Sequence, residues 1–298
     1  MALYPTREGF LGELAKGITF REVARIAAGF GQRLLKEGKD QVVVGHDARF
    51  LAREMAEEAA EVLSGMGLKT HLLQGPAPFP LFGYALHARE AAGLYLTAGR
   101  KPPRFQGVKL RLEAGKPLPG EDLALPEAPP EARGGYIPLD LRKAYLDLLL
   151  RSAEGVPKER PGVVYLDAMG GAGGGLLGQA FKALGLEAEL RELHSLPHPL
   201  FYGVDPDPRP ENLKTLLALL KAAEPPALGF ALDGDADRLA VYRVGGEAVG
   251  EEEVLKALRE ALGGLEVQGD GEGGFLFPWH LPEKDPYLAA LLLLKVLL

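Results

Sequence analysis

The sequence predicts an α/β protein made of two tandem α/β/α domains with mostly parallel sheets. Short continuous apolar runs, among them residues 41–45 (QVVVG) and 227–232 (ALGFAL), are typical of strands buried on both faces of a sheet. Segments with apolar residues at helical spacing separate these runs. Strands that alternate with helices form parallel sheets covered by helices, because each crossover returns the chain in the same direction.

The first domain is predicted over residues 1–125. Its first helix, at about 20–36, begins after Thr19, because Thr19 and Glu22 have the spacing of a capping box. The following pattern predicts, in order, a strand at 41–45, a helix at 51–66, a strand at 68–73, a short helix at 80–88 and a strand at 92–97.

A connection rich in Pro, Gly and Glu, residues 113–135, separates the first domain from a second one at 136–245. The second domain repeats the scheme, with helices at 139–152, 176–184 and 210–222 and strands at 162–167, 186–191 and 227–232. The last 53 residues, 246–298, are too few for another full domain, since one βαβ unit takes roughly 30 residues. We expect them to form a truncated third domain.

Composition and charge restrict the partners of this 298-residue chain. Its net charge of −7 argues against a nucleic-acid partner, and the lack of cysteine excludes disulfides and thiolate metal sites. The beginning of the chain lacks the apolar core of a secretory signal, which favours a cytoplasmic protein. The abundance of Ala, Leu, Glu, Arg and Pro beside a single asparagine fits a heat-loving source.

The apolar segment at residues 287–298 is too short to span a bilayer, so no membrane partner is expected. A helix that is apolar on nearly every side is normally buried. We therefore expect this segment to pack against the second domain or to form a homodimer contact.

Three carboxylates, Asp233, Asp235 and Asp237, directly follow the strand at 227–232. Carboxylates this close repel one another unless a cation lies among them, and an all-oxygen set suits Mg²⁺ or Mn²⁺. The alternatives are a solvated acidic turn and a phosphatase of the haloacid-dehalogenase type, in which the first aspartate is a nucleophile. The third carboxylate favours the metal site over the nucleophile.

A basic loop is predicted after the strand at 92–97, over residues 97–109. Five cations and no acid lie between Arg100 and Arg111 in a chain that is acidic overall. Such a run either binds a phosphate or forms a solvated turn. Among the histidines only His194 and His198 are close enough in sequence to suggest a metal pair, and Pro197 argues against it, so structural or surface roles are expected.

The order of these features resembles the α-D-phosphohexomutases, the phosphoglucomutase and phosphomannomutase family. The resemblance lies in VVVGHDAR (42–49), LTAGRKPPRFQGVKL (96–110) and LGFALDGDADRLAV (228–241), the last being similar to the family's Mg²⁺ loop. GDGEGG (269–274) and HLPEKD (280–285) look like the family's GEESGG and HIPERDG segments. The resemblance implies the phosphohexomutase fold, a hexose phosphate as ligand and Mg²⁺ as cofactor, with the family's fourth domain absent here.

The resemblance also implies site residues. Asp233, Asp235 and Asp237 correspond to the metal ligands, and Gly99 lies at the position of the phosphoserine that transfers the phosphoryl group. Arg100 stands where the family has histidine, and Lys109 keeps the family spacing from Gly99. The substrate-binding and phosphate-binding set comprises Asp47, Arg49, Lys101, Arg238, Asp270, Glu272 and His280.

A glycine has no oxygen to phosphorylate, so we expect a degenerate mutase relative that keeps affinity for metal and sugar phosphate. The alternative is an active phosphohexomutase or a phosphatase in which Thr97, or a water held by the metal, replaces the serine. For the acidic trio, either Mg²⁺ binds it or Arg100 and Lys101 replace the ion.

Overall fold

The computed structural model describes residues 3–298. The chain divides into two compact units, Met1–Leu141 and Arg142–Leu298. Each unit contains one main sheet with helices packed on it, so the predicted pair of α/β/α domains is confirmed. No helix among the described residues is long and apolar enough to cross a membrane.

The first unit is built on a seven-stranded sheet with the strand order β1-β2-β6-β5-β3-β4-β7. Strands β5, β3, β4 and β7 are parallel, and β1, β2 and β6 add to one edge in antiparallel fashion. The elements are β1 Tyr4–Thr6, β2 Gly9–Glu13, α1 Phe20–Lys36, β3 Gln41–His46, α2 Ala52–Gly65, β4 Lys69–Leu73, α3 Phe79–Arg89, β5 Ala92–Leu96, β6 Phe105–Arg111 and β7 Ile137–Leu139.

Helices cover both faces of this sheet. Thr19 caps α1 by accepting a hydrogen bond from Glu22 N at 3.3 Å, as the capping-box pattern predicts. The apolar faces of α1 and α2 form a continuous core with the sheet. On the opposite face Phe79 and Phe82 of α3 contact the buried ring of Tyr95, which lies on β5.

Strand β6 corrects the prediction of a loop over residues 97–109. Residues 105–111 pair with β2 on one side and with β5 on the other. Lys109 and Arg111 on this strand suggested a solvated turn, but both cations lie near Glu8 and over the ring of Phe79. Both cations thus share Glu8 as a partner, and the loop after β5 comprises residues 97–104.

The second unit contains a five-stranded sheet with the order β12-β11-β10-β8-β9. Strands β10, β8 and β9 are parallel, whereas β11 and β12 continue the sheet in antiparallel fashion. The elements are α4 Arg142–Ser152, β8 Val163–Asp167, α5 Leu176–Leu184, β9 Glu189–Leu193, α6 Lys214–Ala222, β10 Ala227–Leu232, β11 Leu239–Arg243, β12 Ala248–Val249, α7 Glu251–Leu262, β13 Gln268–Gly269, β14 Phe275–Leu276 and α8 Pro286–Leu293.

Three predicted elements in this half of the chain have boundaries that differ from the observed ones by more than one residue. The strand predicted at 186–191 lies at Glu189–Leu193, and the helix predicted from 139 begins at Arg142, since residues 137–139 form β7. The helix predicted from 210 begins at Lys214, after a single 3-10 turn that Pro210 opens.

Residues 246–298 belong to the second unit. They form α7, the small β13–β14 hairpin and α8. Every residue of α8 is buried, and the helix packs against α4, α7 and β11. Helix α8 therefore packs against the second domain, as one of the two alternatives predicted, and the homodimer contact stays a prediction.

The stability of the first unit is expected to fall as the pH drops below about 6.5, because His71 on β4 is buried. Both ring nitrogens of His71 lack a hydrogen-bond partner among the described residues. Burial lowers the pKa of His71 below its ordinary value of 6.5, and Arg89 and Lys69 lower it further. Below that value the unfolded chain takes up a proton that the folded chain resists, so folding is penalised.

Denaturant titrations between pH 7.5 and 5.5 check this expectation. Each pH unit costs at most about 1.4 kcal/mol through His71, and a His71→Leu variant should lose less stability over this range than the wild type. His46, whose pKa burial also lowers, contributes to the pH dependence that remains. An identical pH profile for the variant and the wild type would contradict the assignment.

Candidate functional site

The three aspartates of the predicted metal site lie together at the carboxyl end of β10. Asp233, Asp235 and Asp237 are all buried, and one carboxylate oxygen of each lies within 4.8 Å of the others. The turn is closed by Asp233 Oδ1, which accepts hydrogen bonds from Asp237 N at 3.1 Å and Arg238 N at 3.3 Å. Three hard oxygen donors at the carboxyl edge of a sheet are a donor set that fits Mg²⁺ or Mn²⁺.

Arg238 connects this turn to the segment that resembles the sugar-selecting loop, here called the 269–274 loop. Its side chain is 15% exposed, and Nε lies 3.6 Å from Asp237 Oδ1. Nη1 lies 3.2 Å from Asp270 Oδ2 and donates to Glu272 O at 2.7 Å, while Nη2 lies 3.2 Å from Glu272 Oε2. The structure thus brings three of the predicted substrate-binding residues into one ion-pair network.

The 269–274 loop is held by further contacts. Asp270 Oδ1 accepts hydrogen bonds from Glu272 N and Gly274 N, both at 2.9 Å, and Asp270 Oδ2 accepts one from Lys284 Nζ at 2.5 Å. Burial alone would raise the pKa of Asp270, but the hydrogen bonds from Lys284 and Gly274 outweigh it and hold that pKa below its ordinary value. Asp270 is therefore a charged support of the loop.

Arg49 has a different task from the predicted one of binding substrate. Its side chain is 1% exposed, and Nε lies 3.1 Å from Asp47 Oδ2. Its terminal nitrogens donate to backbone carbonyls in and beside the β5–β6 loop, residues 97–104, namely those of Gly99 (2.6 Å), Lys101 (2.7 Å), Pro102 (3.0 Å) and Phe105 (3.1 Å). The interpretation of Arg49 as a phosphate ligand is corrected, because these bonds make it the support of the loop.

Asp47 is likewise a support. Its side chain is fully buried, and its Oδ1 accepts a hydrogen bond from Arg49 N at 2.9 Å. Its Oδ2 accepts one from the Thr97 hydroxyl at 2.7 Å, and Thr97 Oγ1 in turn accepts one from Gly99 N at 2.9 Å. The carbonyls that accept from Arg49 lie about fifty residues away along the chain, so no local sequence pattern shows this arrangement.

The predicted basic residues fall into two groups. Lys101 and Arg104 are exposed and Arg100 is half-buried, all in the β5–β6 loop. Lys109, predicted as catalytic, lies on β6 with its Nζ 4.2 Å from the ring centroid of Phe79. Sequence spacing placed all of these cations in one loop, whereas strand pairing separates Lys109 from them.

His280 is not a surface ligand-binding residue. Its side chain is fully buried between Ser152, whose Oγ lies 2.7 Å from Nδ1, and Asp285, whose Oδ2 lies 2.9 Å from Nε2. The Tyr145 hydroxyl donates to the same Asp285 oxygen at 2.6 Å. The predicted substrate role of His280 is corrected, because these contacts tie α4 to the beginning of α8.

Sequence reasoning missed one pair at the carboxyl edge of the second sheet. Asp167, at the end of β8, is buried and accepts hydrogen bonds from Met169 N at 2.8 Å and His194 Nδ1 at 2.9 Å. The ring of His194 lies 4.9 Å from that of Tyr202, and its side chain is 33% exposed. The signal available in the sequence was that an aspartate and a histidine end neighbouring parallel strands.

Comparison with known protein families identifies both α/β/α domains of the chain. The profile of phosphoglucomutase/phosphomannomutase α/β/α domain I matches residues 3–125, and that of α/β/α domain II matches residues 143–246. These matches cover more than half of the chain. The chain belongs to the phosphoglucomutase/phosphomannomutase family, which confirms the resemblance seen in its motifs.

Two curated relatives illustrate the family match. The chain is 31% identical over 282 residues to the phosphoglucomutase/phosphomannomutase of Thermococcus kodakarensis, covering 87% of this chain and 60% of the relative. It is 30% identical over 259 residues to the phosphoglucomutase of Neisseria gonorrhoeae, covering 82% of this chain and 55% of the relative. The chain thus spans less than two thirds of the length of these relatives.

Solved structures agree with this family fold. A phosphomannomutase-like protein of Thermus thermophilus superposes with a TM-score of 0.88 at 36% identity, over 99% of this chain and 80% of that one. A phosphoglucomutase/phosphomannomutase family protein of Burkholderia thailandensis shares the fold at 22% identity and a TM-score of 0.79, over 99% and 76% of the two chains.

Proposed function

We propose that this family member binds a hexose phosphate together with a divalent cation but does not carry out standard mutase turnover. The observation that carries the proposal is Gly99, which leaves no side-chain oxygen at the position that resembles the phosphoserine. A shuttle between two sugar-phosphate positions needs an acceptor oxygen on the protein. The intact aspartate trio and the cations of the β5–β6 loop support retained binding of metal and phosphate.

Thr97, the nearest hydroxyl, is a poor substitute for the missing serine. It is 2% exposed, and its oxygen both donates to Asp47 and accepts from Gly99 N. Rotating this hydroxyl toward a substrate would break both hydrogen bonds and leave a buried carboxylate with one donor fewer. The burial of Thr97 therefore favours the degenerate form over an active mutase that uses this residue.

Asp233, Asp235 and Asp237 are the residues that would hold the cation. A bound Mg²⁺ or Mn²⁺ would neutralise the trio and offset the charge of a nearby phosphoryl group. Because the trio is intact, a second candidate function is a phosphatase that transfers the phosphoryl group to water. Arg238 beside the trio would orient an anionic ligand in either case.

A coupled assay with glucose 1-phosphate or mannose 1-phosphate, glucose 1,6-bisphosphate and Mg²⁺ tests the proposal. We expect no isomerisation, and calorimetry should show glucose 1-phosphate binding that weakens at least tenfold in an Asp235→Asn variant. Release of inorganic phosphate without isomerisation would favour the phosphatase. Rapid isomerisation, or no binding of glucose 1-phosphate at all, would contradict the proposal.

Restoring the hydroxyl with Gly99→Ser is expected to give no mutase activity. Gly99 has a φ of +52°, a left-handed conformation in which serine costs about 1 kcal/mol. The variant also leaves Asp270 and Glu272 in place of the glutamate and serine of the family's GEESGG segment. Denaturant titration measures the strain, and the coupled assay measures the activity.

Gly38→Ser is the matched control, because Gly38 has a φ of +71° and no neighbouring atom within 4 Å. This control variant should lose about the same stability, but it leaves the β5–β6 loop unchanged. Turnover by Gly99→Ser at a rate typical of an enzyme would show that the missing serine is the sole defect.

A further inference from the structure

Arg238 is surrounded by carboxylates of its own chain. Nε faces Asp237 at 3.6 Å, Nη1 faces Asp270 at 3.2 Å, and Nη2 faces Glu272 Oε2 at 3.2 Å. A guanidinium binds phosphate through two adjacent N–H groups, in the same fork geometry that it uses for carboxylates. A phosphate that approaches Arg238 therefore competes with these carboxylates.

The two acids of the 269–274 loop differ in how firmly they are held. Asp270 is tied to two backbone N–H groups and to Lys284, and its side chain is 27% exposed. Glu272 has a side chain that is 55% exposed, on a loop whose backbone is fixed by Glu251 through Gly271 N at 2.7 Å and Gly273 N at 2.8 Å. The carboxylate of Glu272 is the more exposed of the two, so it yields Arg238 to an incoming anion at a lower cost than Asp270 does.

The position of Glu272 gives it a second effect on anions. Its backbone carbonyl accepts from Arg238 Nη1 at 2.7 Å, so the residue stays beside the guanidinium even when its carboxylate leaves. A displaced carboxylate remains close and repels an incoming phosphate, because both groups are negatively charged. Glu272 thus opposes phosphate binding both by occupying Arg238 and by repulsion.

We propose that Glu272 is an internal competitor for Arg238, which lowers the affinity of this edge of the second unit for phosphate monoesters. The proposal rests on the proposed function, since it concerns the anion of the same ligand class. The loss of an exposed ion pair and the removal of a nearby like charge each change a binding constant by a factor of about two to five. Removing the charge of Glu272 is therefore expected to tighten phosphate binding about four- to twentyfold.

Calorimetric titration of inorganic phosphate and of glucose 1-phosphate, with Mg²⁺ present, tests whether Glu272 competes with these anions for Arg238. Glu272→Gln keeps the size of the side chain and removes its charge. Glu260→Gln, at an exposed position on α7, is the matched control for net charge and should change affinity less than twofold. Glu272→Gln combined with Arg238→Gln should lose the gain, because the competition acts through Arg238.

The outcomes separate this inference from the proposed function. The proposal that Glu272 competes for Arg238 is overturned if Glu272→Gln leaves the affinity unchanged, or if its gain in affinity persists when Arg238 is also replaced. In either case the proposed function still stands, provided that the wild type binds glucose 1-phosphate. Tighter binding of inorganic phosphate by Glu272→Gln, with no glucose 1-phosphate binding by either protein, supports the competitor and contradicts the proposed function. Failure of Glu272→Gln to bind either anion overturns the competitor.

Discussion

Replacing Arg49 by methionine is expected to lower the free energy of unfolding of the first unit by about 3–5 kcal/mol. The variant keeps the apolar stem but leaves the buried carboxylate of Asp47 without its cation. It also removes the donors to four carbonyls in and beside the β5–β6 loop. Breaking one partner of a buried pair costs more than an average mutation, because the other charge stays desolvated.

Denaturant titration measures this loss, and hydrogen exchange of residues 97–105 should show faster exchange even under native conditions. A double variant, Asp47→Asn with Arg49→Met, removes the unpaired charge and should recover part of the stability. Arg53→Met is the control, since Arg53 forms an exposed pair with Glu57 on α2 and its loss should change stability little. Equal effects at Arg49 and Arg53 would refute the supporting role.

Asp285→Ala is expected to destabilise the second unit by about 3–5 kcal/mol. Asp285 Oδ1 caps α8 by accepting from Tyr287 N at 3.0 Å and Leu288 N at 3.1 Å, and Oδ2 accepts from Tyr145 and His280. Burial raises the pKa of Tyr145 well above its ordinary value, and the charge of Asp285 raises it further, so the hydroxyl remains a donor. Without Asp285 the Tyr145 hydroxyl and the His280 ring lose this buried acceptor.

The single tryptophan of the chain, Trp279, reports this change, because its ring centroid lies 6.0 Å from that of His280. Fluorescence-monitored denaturation should show the loss for Asp285→Ala and a smaller one for Asp285→Asn, which keeps an oxygen for the cap. Asp147→Ala removes a surface ion pair with Lys143 on α4 and should change stability by less than about 0.5 kcal/mol. A loss below about 1 kcal/mol for Asp285→Ala would contradict the expected role of this carboxylate.

The sequence was sufficient for features whose cause is local. The apolar runs at 41–45 and 227–232 are strands, and the α/β fold class follows from their alternation with helices. The aspartate trio is a local feature as well, since one short stretch of chain supplies all three carboxylates and the turn that gathers them. Its position after a buried strand placed it at the carboxyl edge of a sheet.

Features that depend on distant pairing could not be predicted in this way. Arg49 was assigned to substrate binding from the family resemblance of its turn, but its acceptors include carbonyls of a loop that only the folded sheet brings to it. Lys109 was assigned to a loop because it belongs to the run of cations between Arg100 and Arg111, whereas pairing with β2 and β5 places it on a strand. His280 was assigned from a motif, and its burial between Ser152 and Asp285 depends on α4.

At the position of Gly99 this family member has no side-chain oxygen that could accept a phosphoryl group. Incubation of the purified chain with glucose 1,6-bisphosphate and Mg²⁺, followed by peptide mass mapping, tests it most directly. We predict no phosphorylated peptide within residues 92–105 and no sugar-phosphate isomerisation in the same sample. A phosphorylated Thr97 accompanied by isomerisation would contradict the claim.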